Sequence, residues 1–169
     1  MIKRVAMIGL ASALPMFLAA VQAGEKEPSA EIGIGIASEW DAPSRVTIFG
    51  PSAAIEYTAI KDWLEIEASV SPLFGKSQTE WNTELVVKKP FSLSDKVEVT
   101  FGVGPAWLHK IGGGETTDSA GGVVVLDFQF WPLPERRLGW FLEPSYGYDF
   151  GKGHEQSLGV SVGLLFAIP

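Results

Sequence analysis

Seven carboxylates recur at alternate positions inside otherwise apolar runs: Glu56, Glu65, Glu67, Glu84, Glu98, Asp127 and Glu143. Only Lys88 plainly shares their phase as a cation. Acids gathered on one face can exchange protons, hold a cation or satisfy one another through hydrogen bonds. Two histidines, His109 and His154, lie near Ser119, Ser157, Glu115 and Glu155. A serine nucleophile, a histidine base and an orienting acid is what ester hydrolysis needs. The simpler reading makes both histidines solvated residues near strand ends.

Other chemistries lack their residues. There is no cysteine, which removes disulfides, thiolate catalysis and Cys-ligated metals. Gly112-Gly113-Gly114 and Gly121-Gly122 are not followed by the Lys-Ser/Thr of a phosphate cradle, and His154-Glu155 has no second histidine to complete a zinc helix. No catalytic residue, metal ligand or cofactor is therefore expected.

What positions the acids is strict alternation, the signature of β-strands with two unlike faces. Eight segments carry it. The first spans about Glu31 to Glu39, with Ile32, Ile34 and Ile36 on one face and Gly33, Gly35 and Ala37 on the other. The second ends with Ile55, Tyr57 and Ala59 opposite Glu56 and Thr58; its start is left open, with Arg45 to Phe49 as a candidate early part interrupted by a bulge or kink at Gly50-Pro51. The third sets Leu64, Ile66, Ala68 and Val70 against Glu65, Glu67 and Ser69. The fourth (Thr79 to Lys89) opposes Trp81, Thr83, Leu85 and Val87 to Glu80, Asn82, Glu84, Val86 and Lys88. The fifth (Val97 to Leu108) places Val97, Val99, Phe101, Val103 and Trp107 against Glu98, Thr100, Gly102 and Gly104. The sixth sets Val124, Leu126, Phe128 and Phe130 opposite Asp127 and Gln129, and the seventh sets Trp140, Leu142, Tyr146 and Tyr148 opposite Phe141, Glu143, Ser145 and Gly147.

The eighth, Ser157 to Phe166, is the most telling. Large apolar Leu158, Val160, Val162, Leu164 and Phe166 alternate with Ser, Gly and finally Leu165. Large apolar groups against very small partners suit a strand between lipid and a crowded polar lumen. The reading is all-β: an eight-stranded antiparallel up-and-down transmembrane barrel, with a secreted soluble sandwich or lipocalin-like barrel as its competitor. An even strand count returns both chain ends to one side. Lys61-Asp62, Ser92 to Asp95 and Leu133 to Arg136 read as compact periplasmic turns, whereas Asp41 to Ser44, Pro72 to Gln78, Lys110 to Gly121 and Asp149 to Glu155 read as longer outer loops. The six tryptophans sort accordingly, with Trp40, Trp81 and Trp107 at outer strand ends and Trp63, Trp131 and Trp140 at inner ends, as interface aromatics do.

The N-terminus supplies the route. Lys3 and Arg4, the apolar stretch Val5 to Ala20 and Val21-Gln22-Ala23 form a secretory signal peptide over residues 1–23, so that residues 24–169 are one mature domain with a short lead-in to Ser29. Without the leader, 11 basic residues face 20 acidic ones, a formal charge of −9. Nucleic acid is a poor partner for such a chain.

On these residues the chain resembles the small eight-stranded outer-membrane barrels of the OmpA membrane-domain and OmpX type. The resemblance covers the whole mature chain as architecture. It implies residence in the outer membrane of a Gram-negative bacterium, contact with its lipids and lipopolysaccharide, a monomeric state, and a Leu158-Val160-Val162-Leu164-Phe166 pattern similar to the signal read by the barrel-assembly machinery. Ala167-Ile168-Pro169 depart from it by following the aromatic that usually ends such chains. The runs Trp140 to Tyr146 and Gly151 to Ser157 are similar to uncharacterised bacterial barrel proteins. Barrels of this size include lipid A deacylases, whose serine lies two residues after the histidine; here Gln156 holds that place, and Ser157 follows on the other side of the strand.

Eight strands enclose a space that side chains fill. Ionised carboxylates left there without partners cost several kcal/mol each, to an order of magnitude. Protonation, reach from Arg45, Arg137 or other end residues, ordered water or a bound cation must compensate. The expected function is a structural or surface-interaction barrel with a plugged acidic lumen and no catalysis; a narrow cation-preferring, porin-like pore and an outer-leaflet lipid A-modifying enzyme are the alternatives.

Overall fold

The computed structural model describes Ser29 to Ile168 apart from residues 43, 44, 77, 134, 152 and 153, so the leader lies outside the described residues. Eight strands follow one another: β1 (Ala30–Asp41), β2 (Thr47–Ile60), β3 (Leu64–Phe74), β4 (Gln78–Ser94), β5 (Val97–Gly112), β6 (Glu115–Phe130), β7 (Leu138–Asp149) and β8 (Gln156–Ile168). Each pairs antiparallel with the next, and β8 closes on β1. Register runs from Ala30 through Tyr57, Ile66, Val87, Val103, Val124, Tyr146 and Leu158 to Trp40, so a full circuit climbs ten residues along β1. That stagger tilts the strands and closes the sheet without an edge.

Alternation decides which side chains face out. Ile34, Ile36, Ile55, Leu85, Val103, Leu158 and Val162 are among many large apolar residues left exposed on the outside, while acids and small residues point inward. Those side chains find no core of their own and require an apolar surrounding. No helix among the described residues is long and apolar enough to cross a membrane. A closed barrel crosses with strands instead.

Several boundaries differ from expectation. Lys110 to Gly121 is not a loop: β5 and β6 continue as a hairpin, with Lys110 opposite Thr117 and Gly112 opposite Glu115. Gly113 and Gly114, at φ of 60° and 83°, supply the left-handed pair that a two-residue hairpin turn demands. Ser92 to Ser94 belong to β4 with a register shift, leaving only residues 95–96 as the turn. Pro72 lies within β3. The inner 131–137 connection is longer than any at the opposite, outer end, where residues 42–46, 75–77, 113–114 and 150–155 join the strands.

Residues from Thr47 do form the early part of β2, and no register shift marks Gly50-Pro51: pairing with β1 runs through both residues, and the β2–β3 register shifts between Thr58 and Ile60. What Pro51 does is remove a donor. Pairing lapses where Pro51 and Pro72 meet between β2 and β3, at Pro105 between β4 and β5, and at Pro144 between β6 and β7. Proline has no N–H to give. All three gaps fall in hairpins joined through the inner end.

Candidate functional site: the lumen

Lys88 stands at the centre of the barrel, 1% exposed. Its Nζ lies 3.1 Å from Glu56, 2.5 Å from Glu67, 3.3 Å from Asp127 and 3.0 Å from Glu143. These acids come from β2, β3, β6 and β7, so one ammonium on β4 reaches both opposite walls. Glu56 and Glu67 are register partners across β2–β3. Gln129 donates from Nε2 to Asp127 at 3.0 Å and to Glu56 at 3.4 Å, closing the ring. The lysine stem needs space, and Gly102 opposite provides it: a Cβ there would lie 2.8 Å from Lys88 Cγ and 2.6 Å from Val86 Cγ1.

Two further tiers flank this ring. Toward the outer end, Lys110 Nζ lies 2.7 Å from Glu155, 3.6 Å from Glu80 and 3.9 Å from Asp149. Ser119 Oγ donates to Asp149 at 2.8 Å, and Asn82 Nδ2 to Glu84 at 2.9 Å. Toward the inner end, Glu98 accepts from Ser92 Oγ at 3.1 Å and from Arg136 at 3.4 Å. Of the end residues expected to reach inward, Lys110 and Arg136 do so. Buried Glu65 stands opposite Lys88 in register, but its Oε2 has no hydrogen-bond partner, nor does Glu31 Oε2.

All seven sequence-predicted lumen acids line this interior or its inner end. Sequence reasoning left Glu31, Glu39 and Glu80 out of the cluster, although phase could have found them: Glu31 and Glu39 share the face of Gly33, and Glu80 that of Glu84. No group of three His, Asp or Glu side chains among the described residues is arranged to hold a metal ion.

Two cavities of about 60 and 40 Å³ meet on the outer side of the Lys88 ring, sharing Glu39, Asn82, Glu84 and Ser145 in their walls, and the larger runs past the ring to Glu31, Phe141 and Leu165. On this measure one water occupies about 10–15 Å³, so each holds a few. Near the inner end Trp131 packs with Phe141 of β7 and Leu165 of β8 in an apolar cluster. Trp131 is 1% exposed, which corrects its assignment to the membrane interface. It sits in a connection rather than a strand and turns inward. Its backbone N–H donates to Lys96 O at 2.8 Å, and Gly139 leaves room for the indole, since a Cβ there would lie 2.8 Å from Trp131 Cε3.

No family model and no curated protein sequence matches this chain. Solved structures do. Neisserial surface protein A, NspA, superposes with a TM-score of 0.63 at 14% identity, covering 82% of this chain and 96% of that one. Ail, the attachment invasion locus protein of Yersinia pestis, gives 0.56 at 16%, covering 85% and 100%. A de novo designed transmembrane β-barrel gives 0.50 at 12%, covering 86% and 100%. The fold is that of a small transmembrane β-barrel.

Against that fold the remaining sequence-predicted residues take their places. Trp40, Trp81 and Trp107 are exposed near the outer strand ends; Trp63 and Trp140 are exposed near the inner ends, Trp140 stacked on Phe130 at 3.9 Å. Leu158, Val160, Val162, Leu164 and Phe166 all face outward on β8, which continues past Phe166 to pair Ile168 with Ala30. His109 contacts Asp118 at 2.6 Å on the outer hairpin, and His154 lies 6.0 Å from the Tyr148 ring. The arrangement brings neither histidine to Ser119, whose hydroxyl is engaged by Asp149.

Proposed function

We propose that the chain is an integral outer-membrane barrel with a structural or surface-interaction role, its lumen plugged by the polar network around Lys88. The observation that carries this reading is the ammonium clasped by four carboxylates from opposite walls. A buried cation held by several carboxylates fixes their geometry, and removing one partner exposes an uncompensated charge. The outward apolar face supports residence among outer-membrane lipids and lipopolysaccharide. A leader cleaved after Ala23 delivers the chain to the periplasm of a Gram-negative cell, the β8 pattern engages the assembly machinery, and the barrel stands as a monomer. NspA is a surface protein by name and Ail an attachment protein, which favours an outer-surface role over metabolism. Catalysis is not part of this reading, because the Ser119 hydroxyl and the His109 ring are committed to separate acids.

Single-channel recording of the refolded mature chain in planar bilayers tests the reading, with a heat-modifiability gel to report folding. A folded, electrically silent barrel is expected. Steady cation-selective currents that disappear in Glu67→Gln with Glu84→Gln would replace it with the pore.

A further inference from the structure

We propose that the lumen is a one-ended vestibule that admits small ammonium-type cations from the outer end and is closed toward the inner end by the Lys88 network together with the apolar cluster of Trp131, Phe141 and Leu165. The proposal deepens the plugged-barrel reading and rests on it.

Three observations converge. The two cavities adjoin and run from the outer tier, where Lys110, Glu155 and Tyr148 line the upper one, down to Glu67 and Glu143 in the lower one. Their shared wall is polar and acidic, built of Glu39, Asn82, Glu84 and Ser145, and Glu80 Oε1 in the upper cavity is buried without a hydrogen-bond partner. Field lines focused by a low-dielectric wall of one sign concentrate ions of the other. Lys110 shows what such walls accept, since its own ammonium reaches Glu155, Glu80 and Asp149 there.

The inner part adds an apolar element. Phe141 and Leu165 line the lower cavity beside Glu31 and Glu56 and pack on Trp131. Glycines shape the seat for these rings: a Cβ at Gly163 would lie 2.7 Å from Phe141 Cε1, and one at Gly33 would lie 3.7 Å from both Phe141 Cε1 and Leu165 Cδ2. An apolar cluster obstructs a hydrated cation more completely than carboxylates that could solvate it.

The chain contains no cysteine, so single cysteines report access directly. Ser145→Cys, in the shared wall, is treated in a planar bilayer with methanethiosulfonate ethylammonium or with the anionic ethylsulfonate of similar size, added to one side at a time. Orientation is read from Glu115→Cys on the outer hairpin with a bulky maleimide. Ser145→Cys is expected to react from the outer side only, and faster with the cation by about tenfold or more. Adding Leu165→Ala, or Phe141→Ala where the first still seals, should open it to the inner side while the gel shows a folded barrel.

Equal rates for the two reagents would overturn the cation preference. No reaction from the outer side would overturn the vestibule while leaving the plugged barrel intact. Reaction from both sides with the cluster unaltered would overturn the inner closure and the plugged reading together. A folded double variant that still excludes the reagent from the inner side would show that the apolar cluster is no part of the seal.

Discussion

The Lys88 ammonium lies 3.0 Å from Glu143 Oε2, tying β4 to β7 across the lumen. The pair sits beside the gap that Pro144 leaves in the β6–β7 ladder, where pairing lapses between Val125 and Phe128. The Lys88 contacts to Asp127 on β6 and Glu143 on β7 bridge the two sides of that gap. A side-chain clasp stands where backbone hydrogen bonds are missing.

Lys88→Met should therefore cost far more than a surface substitution. It leaves Glu56, Glu67, Asp127 and Glu143 without their shared counter-charge, and breaking a buried pair from one side costs about 3–5 kcal/mol. Urea unfolding in micelles should show a lowered midpoint. Because both residues belong to one network, Lys88→Met and Glu143→Gln should be non-additive, with a coupling energy of about 1–3 kcal/mol in a double-mutant cycle. Additive losses would mean that the ammonium does not hold β7.

Trp131 and the five exposed tryptophans should respond oppositely to lipid-borne quenchers. Trp131 is packed with Phe141 and Leu165, while Trp40, Trp63, Trp81, Trp107 and Trp140 are exposed on the barrel. In bilayers of brominated lipid, a variant retaining only Trp131 should keep most of its emission, and one retaining only Trp81 should lose most of it. Strong quenching of Trp131 would place the indole outside the lumen. Trp131→Ala should also destabilise the barrel by about 3–5 kcal/mol, as truncation of a buried aromatic does.

The fate of Trp131 shows where sequence reading stops. Period-two phase assigns a face only to residues inside a strand, so Ile34 and Glu67 were legible and a connection residue was not. Phase also predicts that acids share the lumen, but not which of them Lys88 reaches, because that depends on the circuit stagger and on the space at Gly102. Glu115 to Ser119 carry no apolar alternation, since both faces of the projecting hairpin meet water, and the strand is silent in the pattern. Its only signal was the turn, Gly113-Gly114.

That turn yields its own prediction. With φ of 60° and 83°, Gly113 and Gly114 occupy left-handed backbone, and nothing lies within 4 Å of a Cβ added to either. Strain in the backbone, not crowding, should then govern substitution. Gly113→Asn should be nearly neutral, because Asn tolerates this region, whereas Gly113→Val should loosen the hairpin tip. Amide exchange at Ile111 and Thr116, register partners just below the turn, measures the difference. Equal protection in both variants would remove the backbone argument.

Gly104 is constrained for the opposite reason. It precedes Pro105, whose missing N–H leaves the β4–β5 pairing open, and the Leu85 carbonyl oxygen lies within 1.9 Å of where a Gly104 Cβ would stand. Gly50 repeats the arrangement before Pro51, with the Pro72 oxygen at the same 1.9 Å. In both cases the glycine lets a carbonyl that has lost its donor rest against Cα. Gly104→Ala must push β4 and β5 apart, at a cost of about 1–3 kcal/mol typical of overpacking. Gly122, one strand away and paired with Pro105, is the control: a Cβ there would meet Phe150 at an ordinary 3.6 Å. Unfolding midpoints should fall for Gly104→Ala and stay close to the parent for Gly122→Ala. A matched pair of midpoints would mean that the seam at Pro105 yields without strain.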